Sequence, residues 1–158
     1  MPYDEPAWIF EHSIACDVTP EFAWKFWTNV DNWALDADVV SIEMDGAFVA
    51  GTRGFTNTRS SGRVEWRIAE IQGRRAVIEF PAPGALGRFV WTFEEAGRFT
   101  RITQRCTLEG EQAGAIAKAI GPGLEAGIPA GMSKLCGAME QAARGAKSGK
   151  PESTEQEP

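Results

Sequence analysis

Trp8-Ile-Phe-Glu-His-Ser-Ile-Ala-Cys16, followed by Asp17-Val-Thr-Pro-Glu-Phe-Ala-Trp-Lys-Phe-Trp27, decides how the rest of the chain is read. In the first stretch Trp8, Phe10, His12, Ile14 and Cys16 fall on one face, while Glu11, Ser13 and Asp17 fall on the other. Period two with one apolar side is a half-buried strand. The second stretch starts a helix: Thr19 is a good N-cap, Pro20 fits the first helical position, and Glu21 suits the positive end of the dipole. A helix over Pro20 to Thr28 carries Phe22, Ala23, Trp24, Phe26 and Trp27. That is too apolar for a surface helix, so it should plug one end of a core. Asn29-Val-Asp-Asn32 breaks it, and Trp33-Ala-Leu-Asp36 starts a second short turn or helix.

From Val39 to Glu109 strand and turn repeat. Val40, Ile42 and Met44 alternate before the turn Asp45-Gly46, and a segment over 51–58 returns. After Ser60-Ser-Gly62, Val64, Trp66 and Ile68 alternate against Arg63, Glu65 and Arg67. Ala76, Ile78 and Phe80 follow, ended by Pro81-Ala-Pro83-Gly84, then Phe89, Trp91 and Phe93. Last, Ile102, Gln104, Cys106 and Leu108 oppose Arg101, Thr103, Arg105 and Thr107. Short turns between successive strands give an antiparallel meander with one wet face. The final third changes period: Leu124, Ile128, Met132, Leu135 and Met139 form a helical stripe. Gly121-Pro122-Gly123 and Pro129-Ala-Gly131 interrupt it, which predicts a shorter helix near 113–120 and a break or kink before the main one. The meander's apolar face must be covered, and the C-terminal helix is the long amphipathic element available. The expected class is therefore α+β: a curved antiparallel sheet of about seven strands wrapped around a long C-terminal helix, with two short helices after the first strand. One domain over 1–146 and a disordered acidic tail over 147–158 complete the reading.

Composition narrows the partners. The 158-residue chain carries a formal charge of −6, against a polyanionic partner such as nucleic acid. Nine Phe and six Trp stand against one Tyr, wide rigid side chains that line pockets as well as cores. Arg53, Arg59, Arg63, Arg67, Arg74 and Arg75 cluster locally; hairpin alternation places them on a solvated face, and an anionic partner is the other use of such a patch. The opening Met1-Pro-Tyr-Asp-Glu-Pro6 lacks the parts of a signal peptide, and no apolar run reaches the roughly 18 residues of a membrane span. Cys16, Cys106 and Cys136 lie far apart in sequence without a CxxC, which suits a reducing cytoplasm.

The element order and several phrases resemble the START-type helix-grip superfamily, and within it the bacterial polyketide cyclase/dehydrase and lipid-transport group (SRPBCC). The phrases are Glu11-His-Ser-Ile14, Thr19-Pro-Glu-Phe-Ala-Trp24, Trp27-Thr-Asn-Val-Asp-Asn-Trp33, Ile42-Glu-Met-Asp-Gly46 and Gly51-Thr-Arg-Gly54, with the Gly121–Gly131 stretch resembling that group's last helix. They span roughly residues 8–143 and are caps, turns and core aromatics, so they speak for fold more than activity. The resemblance implies a cavity between sheet and long helix for a small apolar ligand, lipid- or polyketide-like. Mapped here, its walls are Phe10, His12, Trp27, Trp33, Trp66, Ile78, Phe80, Trp91, Phe93, Gln104, Leu124, Ile128 and Met132.

Chemistry is sparse. One histidine and scattered cysteines give no metal site by spacing, and Asp31, Asp36 and Asp38 lack the calcium-loop pattern, so neither metal nor other cofactor is expected. His12 and Cys16 sit about 13 Å apart along one strand, too far to share a proton. If the first and last strands pair, as the resemblance implies, His12 meets Gln104, the other polar side chain facing in. The two would satisfy each other, bind a ligand's polar end, or let His12 act as an acid–base in a cyclisation or dehydration. Non-catalytic binding leads; a cyclase or dehydratase, and a co-chaperone- or toxin-like interaction module using the Arg-rich hairpins or the tail, are the alternatives.

Overall fold

The computed structural model describes residues 6–35, 38–60 and 62–148, the side chains of 147 and 148 excepted. Strand β1 (Trp8–Cys16) leads into helix α1 (Pro20–Thr28), a 3₁₀ helix (Val30–Trp33), strands β2 (Val39–Met44), β3 (Arg53–Thr58), β4 (Gly62–Gln72), β5 (Arg75–Ala82), β6 (Ala85–Ala96) and β7 (Phe99–Glu109), and helix α2 (Ala113–Ser148). The strands form one seven-stranded antiparallel sheet in the order β1-β7-β6-β5-β4-β3-β2. The first strand thus closes on the last, and His12 stands opposite Gln104. Register shifts between Val39 and Ser41 and between Ile68 and Glu70 mark bulges, which bend the strands that carry them.

Local chemistry accounts for the entry into α1. The Thr19 hydroxyl accepts from the Phe22 N–H at 3.1 Å, with Pro20 just inside the helix. Asn29 ends α1 and caps the 3₁₀ helix, its side chain accepting from the Asp31 N–H. That second turn starts at Val30, three residues earlier than the sequence predicts, because Asn29 serves both elements. The Trp33 indole N–H donates to the Trp27 carbonyl at 2.7 Å, and the Asn32 amide to the Phe26 carbonyl at 2.8 Å, folding the turn back on α1.

Helix α2 departs from expectation. No break separates 113–120 from the rest: Pro122 and Pro129 sit inside one continuous helix. Each proline removes one N–H and crowds the preceding turn, which sequence reasoning treats as a stop. Tertiary packing overrides it. Buried Ile128, Met132, Leu135 and Met139 press α2 onto the core, and its closest packing is on β1 and β7. The helix is also fastened near both ends of β1. The Trp8 indole N–H donates to Glu125, and the Asp17 N–H donates to Glu140. Gly121 keeps that passage clear, since a Cβ there would stand 3.1 Å from the Trp8 indole nitrogen. The helix reaches Ser148, two residues into the segment read as tail; 149–158 lies outside the described residues.

Most arginines of the hairpins are paired with carboxylates on the outer face. Arg53 pairs with Asp45 and Glu65, Arg63 with Glu43, Arg67 with Glu79, and Arg75 with Glu70. Burial works to raise the Glu79 carboxyl, but hydrogen bonds from Arg67 and Arg88 outweigh it and hold the group below its ordinary value. Among the described residues no helix is long and apolar enough to cross a membrane.

Candidate functional site

Between α2 and the part of the sheet on which it does not pack directly lies a cavity of about 730 Å³. Its floor comes from alternating positions of β3 to β7: Thr56, Val64, Trp66, Ile78, Phe80, Phe89, Trp91 and Gln104. Trp27, Asn32, Trp33 and Leu35 close one end, and α2 supplies the roof, including Leu124, Ile128 and Met132. Of the walls inferred from sequence, Phe10, His12 and Phe93 do not line it, while the others do. The reason is what covers each strand. Phe10 and His12 stand on β1, where α2 packs, and Phe10 stacks on Trp8. Phe93 faces the same way as Trp91, but Trp24 and Trp27 lie against it at ring distances of 5.6 and 5.3 Å. Helix α1 plugs that end, as its composition requires.

The aromatic walls are held in place. Trp27 touches Trp33, Phe48, Trp91 and Phe93, all with ring centres between 5.1 and 5.4 Å. Trp66 lies flat over Gly54, where a Cβ would come within 2.2 Å of the ring, and its indole N–H donates to Thr56 at 3.0 Å. Gly54 is therefore needed for this close approach. The Trp27 and Trp91 indole N–H groups make no hydrogen bond among the described residues.

The roof also holds a run that the apolar stripe conceals. Gly123, Gly127 and Gly131 recur every fourth position of α2, line the cavity, and have nothing within 4 Å of where a Cβ would stand. All three are exposed, so they stand where the cavity opens rather than on the packed stripe of α2. The signal is present in the glycine spacing, which local rules read only as helix interruption.

Polar groups are few. Lys134 is the charged side chain in the lining, and it is exposed on α2. Gln104 is 7% exposed, and its amide has no hydrogen-bond partner among the described residues. Of the alternatives open to the pair, a direct His12–Gln104 hydrogen bond does not form, although the two residues are cross-strand neighbours. His12 is half-buried beside the cavity without bounding it.

A second cluster brings two of the sequence-distant cysteines together. The thiols of Cys16 and Cys136 and the Glu140 carboxylate lie within 4.8 Å of one another, brought together by the packing of α2 on β1. Cys16 donates to the Cys136 carbonyl, and Cys136 to Glu140. Burial pushes the Cys16 thiol well above its ordinary value, and burial together with Glu140 raises Cys136 against the opposing effect of the Cys16 thiol. Burial alone pushes Cys106 up to about 12. A metal ion there would have to displace protons from two thiols that hold them tightly. Ellman's reagent at pH 8 should therefore leave Cys16 and Cys106 unmodified in the folded protein, and label all three thiols only after denaturation. Rapid native labelling of more than one thiol would contradict this burial.

Residues 7–143 match the model of the family described as polyketide cyclase / dehydrase and lipid transport. No curated protein matches the chain. Similar solved structures include the protein TTHA0849 of Thermus thermophilus, at 17% identity and TM-score 0.67, covering 85% of this chain and 98% of that one. Norcoclaurine synthase from Thalictrum flavum, solved in complex with dopamine and hydroxybenzaldehyde, aligns at 10% identity and TM-score 0.69 over 91% of this chain and 89% of that one. The di-domain ARO/CYC StfQ from the steffimycin biosynthetic pathway aligns at 14% identity and TM-score 0.70, over 86% of this chain and 51% of that one. These identities show a shared helix-grip fold. With the family model spanning nearly all the described residues, the chain belongs to the polyketide cyclase / dehydrase and lipid transport family.

Proposed function

We propose that the chain binds one small, predominantly apolar molecule with an aromatic part in the cavity between sheet and α2, without transforming it. The cavity carries this reading: about 730 Å³ of space walled by Trp27, Trp33, Trp66, Trp91, Phe80 and Phe89, within the size range of small-molecule sites. Family membership supports a small-molecule role, and the dopamine and hydroxybenzaldehyde held by norcoclaurine synthase are aromatic molecules of the kind this lining accommodates. Catalysis by the sole histidine finds no support in the geometry, because His12 does not bound the cavity and Lys134 sits exposed at its roof. An interaction role for the Arg-rich hairpins is weakened because Arg53, Arg63, Arg67 and Arg75 already have carboxylate partners.

Titration with N-phenyl-1-naphthylamine tests the reading. The probe should bind at one saturable site with micromolar affinity, brightening as it leaves water and quenching the tryptophan emission that the cavity walls dominate. A linear, non-saturating response with unquenched tryptophan would sink the proposal.

A further inference from the structure

Thr100 and Gln104 are the buried polar residues of the described chain, both on β7, and they are treated differently. Thr100 is fully buried, and its hydroxyl donates to the Val18 carbonyl at 2.7 Å. Gln104 is more than nine-tenths buried and lines the cavity, yet neither its amide oxygen nor its nitrogen meets a partner among the described residues. Native interiors rarely leave such a group unmet, because the lost hydration is not recovered. The neighbours offer no remedy. Trp91 stands beside it on β6 and His12 on β1, and His12 makes no hydrogen bond to it.

We infer that Gln104 is the recognition group of the cavity, and that the molecule it selects carries an uncharged hydrogen-bonding head on an aromatic body. This rests on the binding function proposed above and specifies what is bound. A primary amide offers two donors and an acceptor, so it can satisfy a ring hydroxyl, a ketone or a carboxamide. A carboxylate or ammonium at that depth would find no counter-charge, since the lining's charged side chain is Lys134, exposed on α2. The walls beside Gln104 set the body: Trp91, Ile78 and Phe89 leave room for fused rings, and the Trp91 indole N–H, which has no partner among the described residues, adds one neutral donor next to the amide.

The test is a comparison of near-isosteric probes, 2-naphthol and 2-methylnaphthalene, on the wild-type protein and Gln104→Leu, with 2-naphthoate as the charged probe. Tryptophan quenching reads each affinity. The naphthol-to-methylnaphthalene affinity ratio should fall by roughly five- to tenfold in the variant, the size expected of one neutral hydrogen bond. Naphthoate should bind wild type at least about tenfold more weakly than naphthol at neutral pH. Gln104→Leu should also melt no lower than wild type without ligand, because an unmet amide is replaced by an apolar group of similar size. Gln104→Met repeats the comparison if the leucine variant does not fold. A ratio that stays within twofold, tight naphthoate binding, or a variant that melts several degrees lower would each overturn the assignment of Gln104 while leaving cavity binding intact. If no probe binds the wild-type protein, the binding function fails and this inference falls with it.

Discussion

Trp27→Ala should cost the fold about 3–5 kcal/mol, the range for deleting a well-packed large aromatic side chain. Trp27 is 2% exposed and stands where α1, the 3₁₀ helix and β6 meet, with rings of Trp24, Trp33, Phe48, Trp91 and Phe93 around it. Removing the indole opens a hole next to an existing cavity, so the surroundings have little to collapse with. A domain of this size has a total stability of roughly 5–15 kcal/mol, so the loss should move the urea midpoint far while leaving the slope of the transition nearly unchanged. Trp33→Ala makes the comparison, because Trp33 is only half-buried and should cost less. A Trp27→Ala loss below about 1 kcal/mol would mean that α1 is not the plug that closes this end of the core.

Much of this architecture is written in local pattern. The alternation of Trp8 to Cys16, the cap at Thr19 and the six later strands each follow from side-chain period and turn chemistry acting over a few residues. Pairing of β1 with β7 and a long covering helix follow from them once the apolar face has to be buried. Where legibility stops is equally physical. Period two tells which face of β1 points inward, but not what lies on that face; the family resemblance implies a cavity wall at Phe10 and His12, whereas α2 packs on β1. Prolines at 122 and 129 forbid local hydrogen bonds, whereas the buried face of α2 is a tertiary term that no local rule contains. Cys16 and Cys136 are distant in sequence and adjacent only because the helix returns to the first strand. Gln104 is legible as an inward polar residue; that His12 does not satisfy it depends on side-chain placement in three dimensions. Missing large residues are harder to notice than present ones, and the glycines of α2 escape a pattern of apolar spacing for that reason.

Those glycines support the other large prediction. Gly127→Leu should strengthen the ligand-free protein and weaken probe binding by at least about tenfold, two effects of opposite sign from one substitution. Stability rises because glycine in a helix interior is less favourable than leucine by nearly 1 kcal/mol, and a Cβ at 127 meets nothing within 4 Å. For a chain of this length that gain corresponds to a melting point about 2–4 °C higher. Binding weakens because Gly127 lines the cavity, between Gly123 and Gly131 along the same helix face, and the new side chain takes volume and apolar contacts the probe would use. Gly137→Leu is the control: it lies in the same helix with open space around its Cβ, outside the cavity lining. It should raise the melting point similarly and leave N-phenyl-1-naphthylamine affinity untouched. If Gly127→Leu stabilises but binds the probe as well as wild type, the probe sits elsewhere and the cavity is not the site. If it destabilises, the space beneath α2 is already filled by packing, and the glycine run has a role in close contact rather than in keeping a chamber open.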